Sequence, residues 1–418
     1  MFTHARPAIA VLAAIATVSV VPALSEGAAA AVPTCHGKRA TIVGHDHAHG
    51  RRITGTRGDD VIVGTQGPDV IHARGGDDVV CALGDKDLLV GGRGDDRLYG
   101  GHDRTGYHAD PDSPIAVGDT INGGPGDDLI DLGFDPGQAD PALGHHVERD
   151  TVSFAGSAHG VHLDLQAGRA TGDGHDTIVA HPGFVWFEAT AHDDRVLGTT
   201  GDDQGSLGRG DDVFRGREGD DRTSDDSGGG SGTDRMYGGP GDDEFATHSG
   251  GDTLVGGSGD ELFYSFAGPA DPHPADLRGG PGDDVMHVDW IRDDDRASGG
   301  DGHDQLDVIF GNPTEDTSAL ADLAGGLLRQ GQKRARIGLF EAYDLNAFVP
   351  LTLHGSDGPD RIVYSAPGLT ADLRGGDDTL TVGRDDASDD RVDGGAGADT
   401  VDVGAGEDTC TNVEAGPC

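Results

Sequence analysis

Aromatic residues make up 5% of the 418 residues, and apolar residues of every kind 34%. That is too lean for a large globular core, and such a composition leans towards disorder unless another device holds the chain together. Basic residues are also short: 30 Lys and Arg stand against 75 Asp and Glu, a formal net charge of -45. This excludes nucleic acid and anionic lipid as partners, because the field of the whole protein repels them. Cations are what such a chain attracts.

Long hydrophobic runs are missing, with one exception. After His4 and Arg6, an apolar stretch extends from Pro7 to Leu24, followed by small residues from Gly27 to Ala31. This reads as a secretory leader, with cleavage near Ala29 to Ala31 and a secreted, extracellular product. The competing reading is a retained anchor, since the run is close to spanning length. Val32-Pro33-Thr34-Cys35 faintly resembles a lipid-attachment motif, for which Pro33 and Thr34 are poor choices. No later segment is apolar enough to span a membrane. Cysteine is scarce: Cys35, Cys81, Cys410 and Cys418. An even number in an exported chain suggests two disulfides, with three pairings open. Proximity favours Cys35–Cys81 and Cys410–Cys418, and the first closes a loop worth about 4 kcal/mol in the chain-entropy model.

What the chain has in abundance is glycine, 73 residues, placed with regularity. Residues 55–99 divide without a gap into GTRGDDVIV, GTQGPDVIH, ARGGDDVVC, ALGDKDLLV and GGRGDDRLY. Position six is always aspartate (Asp60, Asp69, Asp78, Asp87, Asp96), and position eight always aliphatic (Ile62, Ile71, Val80, Leu89, Leu98). The pattern returns over 189–224, 229–264 and about 373–411, with isolated copies at 123–131, 279–287, 299–307 and 355–363. Glycine permits tight turns with exposed carbonyls, and each aspartate adds a carboxylate. Positions seven to nine make a very short strand with only position eight pointing inward. A solvated linker has no reason to hold an aliphatic residue at one place in nine.

The unit resembles the RTX nonapeptide, Gly-Gly-x-Gly-x-Asp-x-U-x with U large and apolar, a calcium-binding parallel β-helix signature. About 20 units fit. The resemblance implies an all-β parallel β-roll or β-helix solenoid, two nonads per turn, with Ca²⁺ held between turns stacked on the same side. Asp60 would then work with the turn around Asp78, Asp69 with that around Asp87, and Asp78 with that around Asp96. The expected Ca²⁺ ligands continue through Asp128, Asp194, Asp203, Asp212, Asp221, Asp234, Asp243, Asp252, Asp284, Asp304, Asp360, Asp378, Asp399 and Asp408. Folding and metal uptake become one process, with affinity of about 10⁻⁴–10⁻³ M, as in extracellular modules. The combination is similar to small secreted repeat proteins of high-GC Gram-positive bacteria.

Some units depart from the pattern. Position eight is Gly205 in 198–206 and Thr223 in 216–224, so loose turns are expected there. Glu261 replaces the aspartate in 256–264, Asp390 lacks its glycines, and Pro68 and Pro359 fill position five. The expected organisation is a leader at 1–31, a cap at 32–54, rolls at 55–99, 189–264 and 355–411, spacers at 100–188 and 265–354, and a cap at 412–418. In 150–179, Val152, Phe154, Val161, Leu163 and Leu165 alternate with polar residues and suggest two strands continuing the solenoid. Residues 317–330, TSALADLAGGLLRQ, have the spacing of a short helix broken at Gly325-Gly326, followed by basic Lys333, Arg334 and Arg336.

No HExxH, G-x-S-x-G or P-loop occurs, and His145-His146-Val147-Glu148 is none of these. His45, Asp46, His47 and His49 form a weak Zn²⁺ candidate before the first nonad. Two other readings stay open: a secreted carbohydrate-active β-helix enzyme whose spacers line a groove, and a surface adhesin with the roll as its stalk.

Overall fold

The structure, a computed structural model, describes residues 32–45, 52–102, 117–133, 149–180, 185–225, 232–248, 251–266, 268, 272–310, 318–382 and 388–417. Every element among them is a β-strand. Successive nonads send their short strands alternately to two sheets. Val61 pairs in parallel with Val79, and Val79 with Arg97, on one sheet; Val70 pairs with Leu88 on the other. Each step is 18 residues, two nonads. Two stacks of parallel strands therefore face each other along a solenoid, and one of them is a 16-stranded sheet from Arg52–Thr54 to Thr400–Asp402.

The core is a single file. Ile62, Ile71, Val80, Leu89, Leu98, Ile121 and Ile130 are all buried, one per nonad and from alternate sheets. In the middle the file widens into rings: Phe187, Phe214, Phe245 and Phe263 follow one another with centroids 5.9, 6.1 and 5.8 Å apart. This corrects the expectation of a loose turn at Gly205. A Cβ there would lie 2.5 Å from the Phe187 ring, so the neighbouring phenyl already fills the space. Thr223 is buried on the next strand of that sheet.

The described parts of 100–188 and 265–354 supply strands to the same two sheets. Strand Val117–Asn122 pairs with Leu88–Arg93, and Ala342–Ala347 joins Gln305–Phe310 to Arg361–Ser365. Twice, one sheet takes in an antiparallel triplet: His162–Asp164, Arg169–Thr171 and His175–Val179, then Ala319–Asp322, Leu327–Gln330 and Lys333–Gly338. The second triplet overturns the expected helix. Gly326 at φ 60 turns the chain back, and Ala319, Ala321, Leu328 and Gln330 bury alternate residues. An alternating pattern around a tight turn had been read with helical spacing. Each triplet returns the chain to the parallel stack.

Cys35 and Cys81 form a disulfide with their Cα atoms 5.7 Å apart, tying the N-terminal hairpin to the first turns. The Cys35 sulfur is thereby unavailable for lipid attachment. Cys410 is disulfide-bonded as well. Cys418, the expected leader, and Asp46, His47 and His49 lie outside the described residues.

Candidate metal centre

The position-six aspartates stand in two columns, one beside each sheet, and all but the half-buried Asp408 are buried: Asp78, Asp212, Asp221, Asp284, Asp304 and Asp399 show no exposed surface. A carboxylate sits there because the strand behind it must start. Beyond the first turn of a run, each accepts the backbone N–H of the aspartate one turn before. Asp60 N–H donates to Asp78 Oδ1 at 2.7 Å, Asp69 to Asp87 at 2.7 Å and Asp78 to Asp96 at 2.9 Å. The pairs that the family resemblance implies are thus in direct contact. The isolated copies join the same columns, as Asp96 N–H to Asp128 Oδ1 at 2.8 Å and Asp284 N–H to Asp304 Oδ1 at 2.9 Å show.

The second carboxylate oxygen divides the units into two kinds. Where position two is Thr or Ser, its N–H closes onto Oδ2: Thr56 to Asp60 at 2.7 Å, Thr65 to Asp69 at 2.7 Å, Thr190 to Asp194 at 2.8 Å, Thr199 to Asp203 and Ser356 to Asp360 at 2.6 Å. The same hydroxyl covers the position-four carbonyl, as Thr56 Oγ1 does for Gly58 at 3.1 Å. In twelve of the other units the oxygen is left over. Oδ2 of Asp78, Asp87, Asp96, Asp128, Asp212, Asp221, Asp243, Asp252, Asp284, Asp304, Asp378 and Asp399 is buried without a hydrogen-bond partner. An ionised carboxylate oxygen left this way costs several kcal/mol unless a positive charge meets it.

Backbone oxygen lies close by. A Cβ on Gly92 would fall 2.2 Å from the Arg74 carbonyl oxygen, and one on Gly94 2.3 Å from that of Gly76. Both glycines have φ near +118, so only glycine lets successive turns carry their carbonyls this close. The donor set is carboxylate and carbonyl oxygen alone. It suits a hard cation such as Ca²⁺, which takes six to eight such ligands, and not a soft one. When bound, the ion supplies the positive charge that the orphaned oxygens lack.

Electrostatics agrees. Burial, with repulsion from neighbouring carboxylates added, outweighs the backbone hydrogen bond. It pushes Asp87, Asp212 and Asp221 up to about 8, and Asp96, Asp128, Asp243 and Asp252 up to about 7. Glu261, which replaces an aspartate, is raised to about 10, and both its oxygens are unpartnered.

A second ladder, not legible in the repeat pattern, is formed by the position-five aspartates. Asp77 N–H donates to Asp59 Oδ1 at 2.9 Å and Asp95 N–H to Asp77 at 3.0 Å, on the exposed side. Its polarity is the reverse of the buried one: here the later turn donates.

The columns also hold acids that the full nonapeptide does not mark. Asp87 N–H donates to Asp119, Asp119 to Asp150, Asp128 to Asp176, Leu369 to Asp390 and Ala275 to Asp295. Glu341 and Glu414 take the same role for Asp304 and Asp399. The shorter signal Asp-x-apolar, as in Asp119-Thr120-Ile121, Asp150-Thr151-Val152 and Asp176-Thr177-Ile178, finds three of them. Asp295 is a special case. The buried Arg292 guanidinium bonds it at 3.1 Å and reaches Ser265 Oγ at 3.1 Å, so a side chain supplies the cation.

The profile of the RTX calcium-binding nonapeptide repeat matches residues 54–89, 82–104, 118–136, 171–205, 197–223, 228–260, 292–315 and 374–410, together just over half the chain. The chain belongs to the RTX calcium-binding nonapeptide repeat family. No curated protein matches it. As an RTX repeat protein it binds calcium. The open units have the oxygen donors for this, and the Thr/Ser units have already committed theirs.

Proposed function

We propose that this RTX chain is exported and that its folding is coupled to Ca²⁺ uptake, leaving a stiff extracellular rod. The observation that carries the reading is the register of buried, unpartnered Oδ2 atoms in the two columns. A native state that must bury so many ionised oxygens is unstable alone. It is stabilised by mass action when a cation binds it and not the unfolded chain. At the low calcium expected inside a cell the open units stay loose, and at extracellular concentrations they close. The apolar stretch from Pro7 to Leu24 and the disulfide support export, since disulfides persist in oxidising compartments.

The test is far-UV circular dichroism of residues 32–418, titrated with Ca²⁺ from a chelated start. A cooperative gain of β signal with Ca²⁺, and a much smaller one with Mg²⁺, is expected. A spectrum already rich in β structure and indifferent to Ca²⁺ would overturn the coupling.

A further inference from the structure

One buried acid beside the columns belongs to no repeat position. Between Asp212 and Asp234 the step is 22 residues in place of 18. The strand Arg222–Asp225 ends in this lengthened turn with Asp225 on its inward face, beside Thr223. On the next two strands of that sheet the same inward place holds Thr247 and Ser265, both buried. The row continues to Arg292, which bonds Ser265 and Asp295 as the internal cation described above.

At the Asp225 end the partners are carboxylates. Asp225, Asp234 and Asp252 each place a ligand oxygen within 4.8 Å of the others, and the three are 5%, 2% and 1% exposed. Two oxygens on one Ca²⁺ are at most about 5 Å apart, so this spacing fits one ion. Asp252 Oδ2 has no hydrogen-bond partner. Asp225 is held from behind by His248, whose N–H donates at 2.8 Å and whose Nδ1 lies 2.7 Å from Oδ1. Ligating carboxylates are commonly oriented by such outer hydrogen bonds. Arg235 acts on Asp234 through space.

We propose that Asp225, Asp234 and Asp252 form a three-carboxylate Ca²⁺ site, tighter than the repeat sites and filled first. It rests on the reading that the open columns take Ca²⁺. The repeat alone brings successive column carboxylates together, whereas here an off-repeat acid adds a third charge. Ligand charge is what tunes Ca²⁺ affinity in oxygen sites.

Calorimetric titration of the full chain with Ca²⁺ tests this, using wild type, Asp225→Asn and His248→Ala, with folding followed by circular dichroism. The wild type should show one ion bound ahead of the rest. Asp225→Asn should weaken that step about tenfold and leave the later ones. His248→Ala takes away the ring that holds Asp225 from behind and should weaken the same step, also about tenfold. An unchanged first step in Asp225→Asn overturns the site. Should Asp225→Asn not fold, an unchanged first step in His248→Ala overturns it instead. No Ca²⁺ binding by the wild type would instead overturn the coupling proposed above.

Discussion

Two kinds of turn make up the repeat runs of this solenoid, and one hydroxyl separates them. Residues 55–72 and 189–206 each make a complete turn whose aspartates, Asp60 with Asp69 and Asp194 with Asp203, are closed by threonine at position two. The turns that follow them, through Asp78 and Asp87 or Asp212 and Asp221, present the same aspartate with one oxygen unpartnered. Backbone pairing is the same in both. The closed turn satisfies its carboxylate from its own loop, and the open turn needs a cation. Closed turns open the first two runs, and the closed Asp360 unit opens the third, so each open run starts from a metal-independent base.

The strongest way to break this comparison is to remove calcium. In chelator, amide exchange should accelerate by orders of magnitude across the open strands, such as Arg97–His102 and Glu244–Thr247, while Val61–Val63 exchanges more slowly than either. Equal exchange in both kinds of turn would erase the distinction.

Protons offer the next lever. Burial raises Asp87, Asp212 and Asp221 to about 8 from an ordinary 3.8, so the folded metal-free chain binds more protons than the unfolded one between those values. Stability without metal is therefore greatest near pH 4 and falls as pH rises towards 8. Metal-free protein should show more β signal at pH 5 than at pH 8, and Ca²⁺ should abolish the difference. A metal-free chain that gains structure as pH rises would reverse the sign.

Removing the Cys35–Cys81 disulfide with serine at both positions should cost up to about 4 kcal/mol, in the chain-entropy model, for a separation of 46 residues. The loss should fall on the closed base, measured as the chelator-resistant part of the unfolding curve. The smallest change sharpens the comparison most. Thr65→Gly removes the hydroxyl from the Gly67 carbonyl and should cost about 1 kcal/mol in chelator. In saturating Ca²⁺ the cost should shrink, because an opened unit gains use of the ion. Equal destabilisation in both conditions would show that the hydroxyl does not stand in for metal.

The nine-residue period was legible in the sequence, and the family resemblance it carries implied the 18-residue step that brings Asp60 to Asp78 and Asp69 to Asp87. Asp119, Asp150 and Asp176 were not, since their glycines are missing and only Asp-Thr-apolar remains. Packing at Gly205 depended on a ring 18 residues earlier, Phe187, which no local pattern reveals. The strands at 319–322 and 327–330 were misread because a turn at Gly326 makes an alternating pattern resemble a helical one. The split into open and closed units was printed at position two throughout, but its meaning needed the distance from the Thr N–H to Oδ2.

The buried ladder also has ends. At the first turn Thr41 Oγ1 bonds Asp60 Oδ1 at 3.2 Å and takes the Val61 N–H at 2.9 Å. At the last, Glu414 Oε2 takes the Asp399 N–H at 2.8 Å while Ala415 bridges to Thr400. A periodic lattice with bare ends is a template, and another copy could be added there turn by turn. Here a non-repeat side chain occupies one end of each column, Thr41 the first end of one and Glu414 the last end of the other, so the chain itself closes those two ends against further pairing.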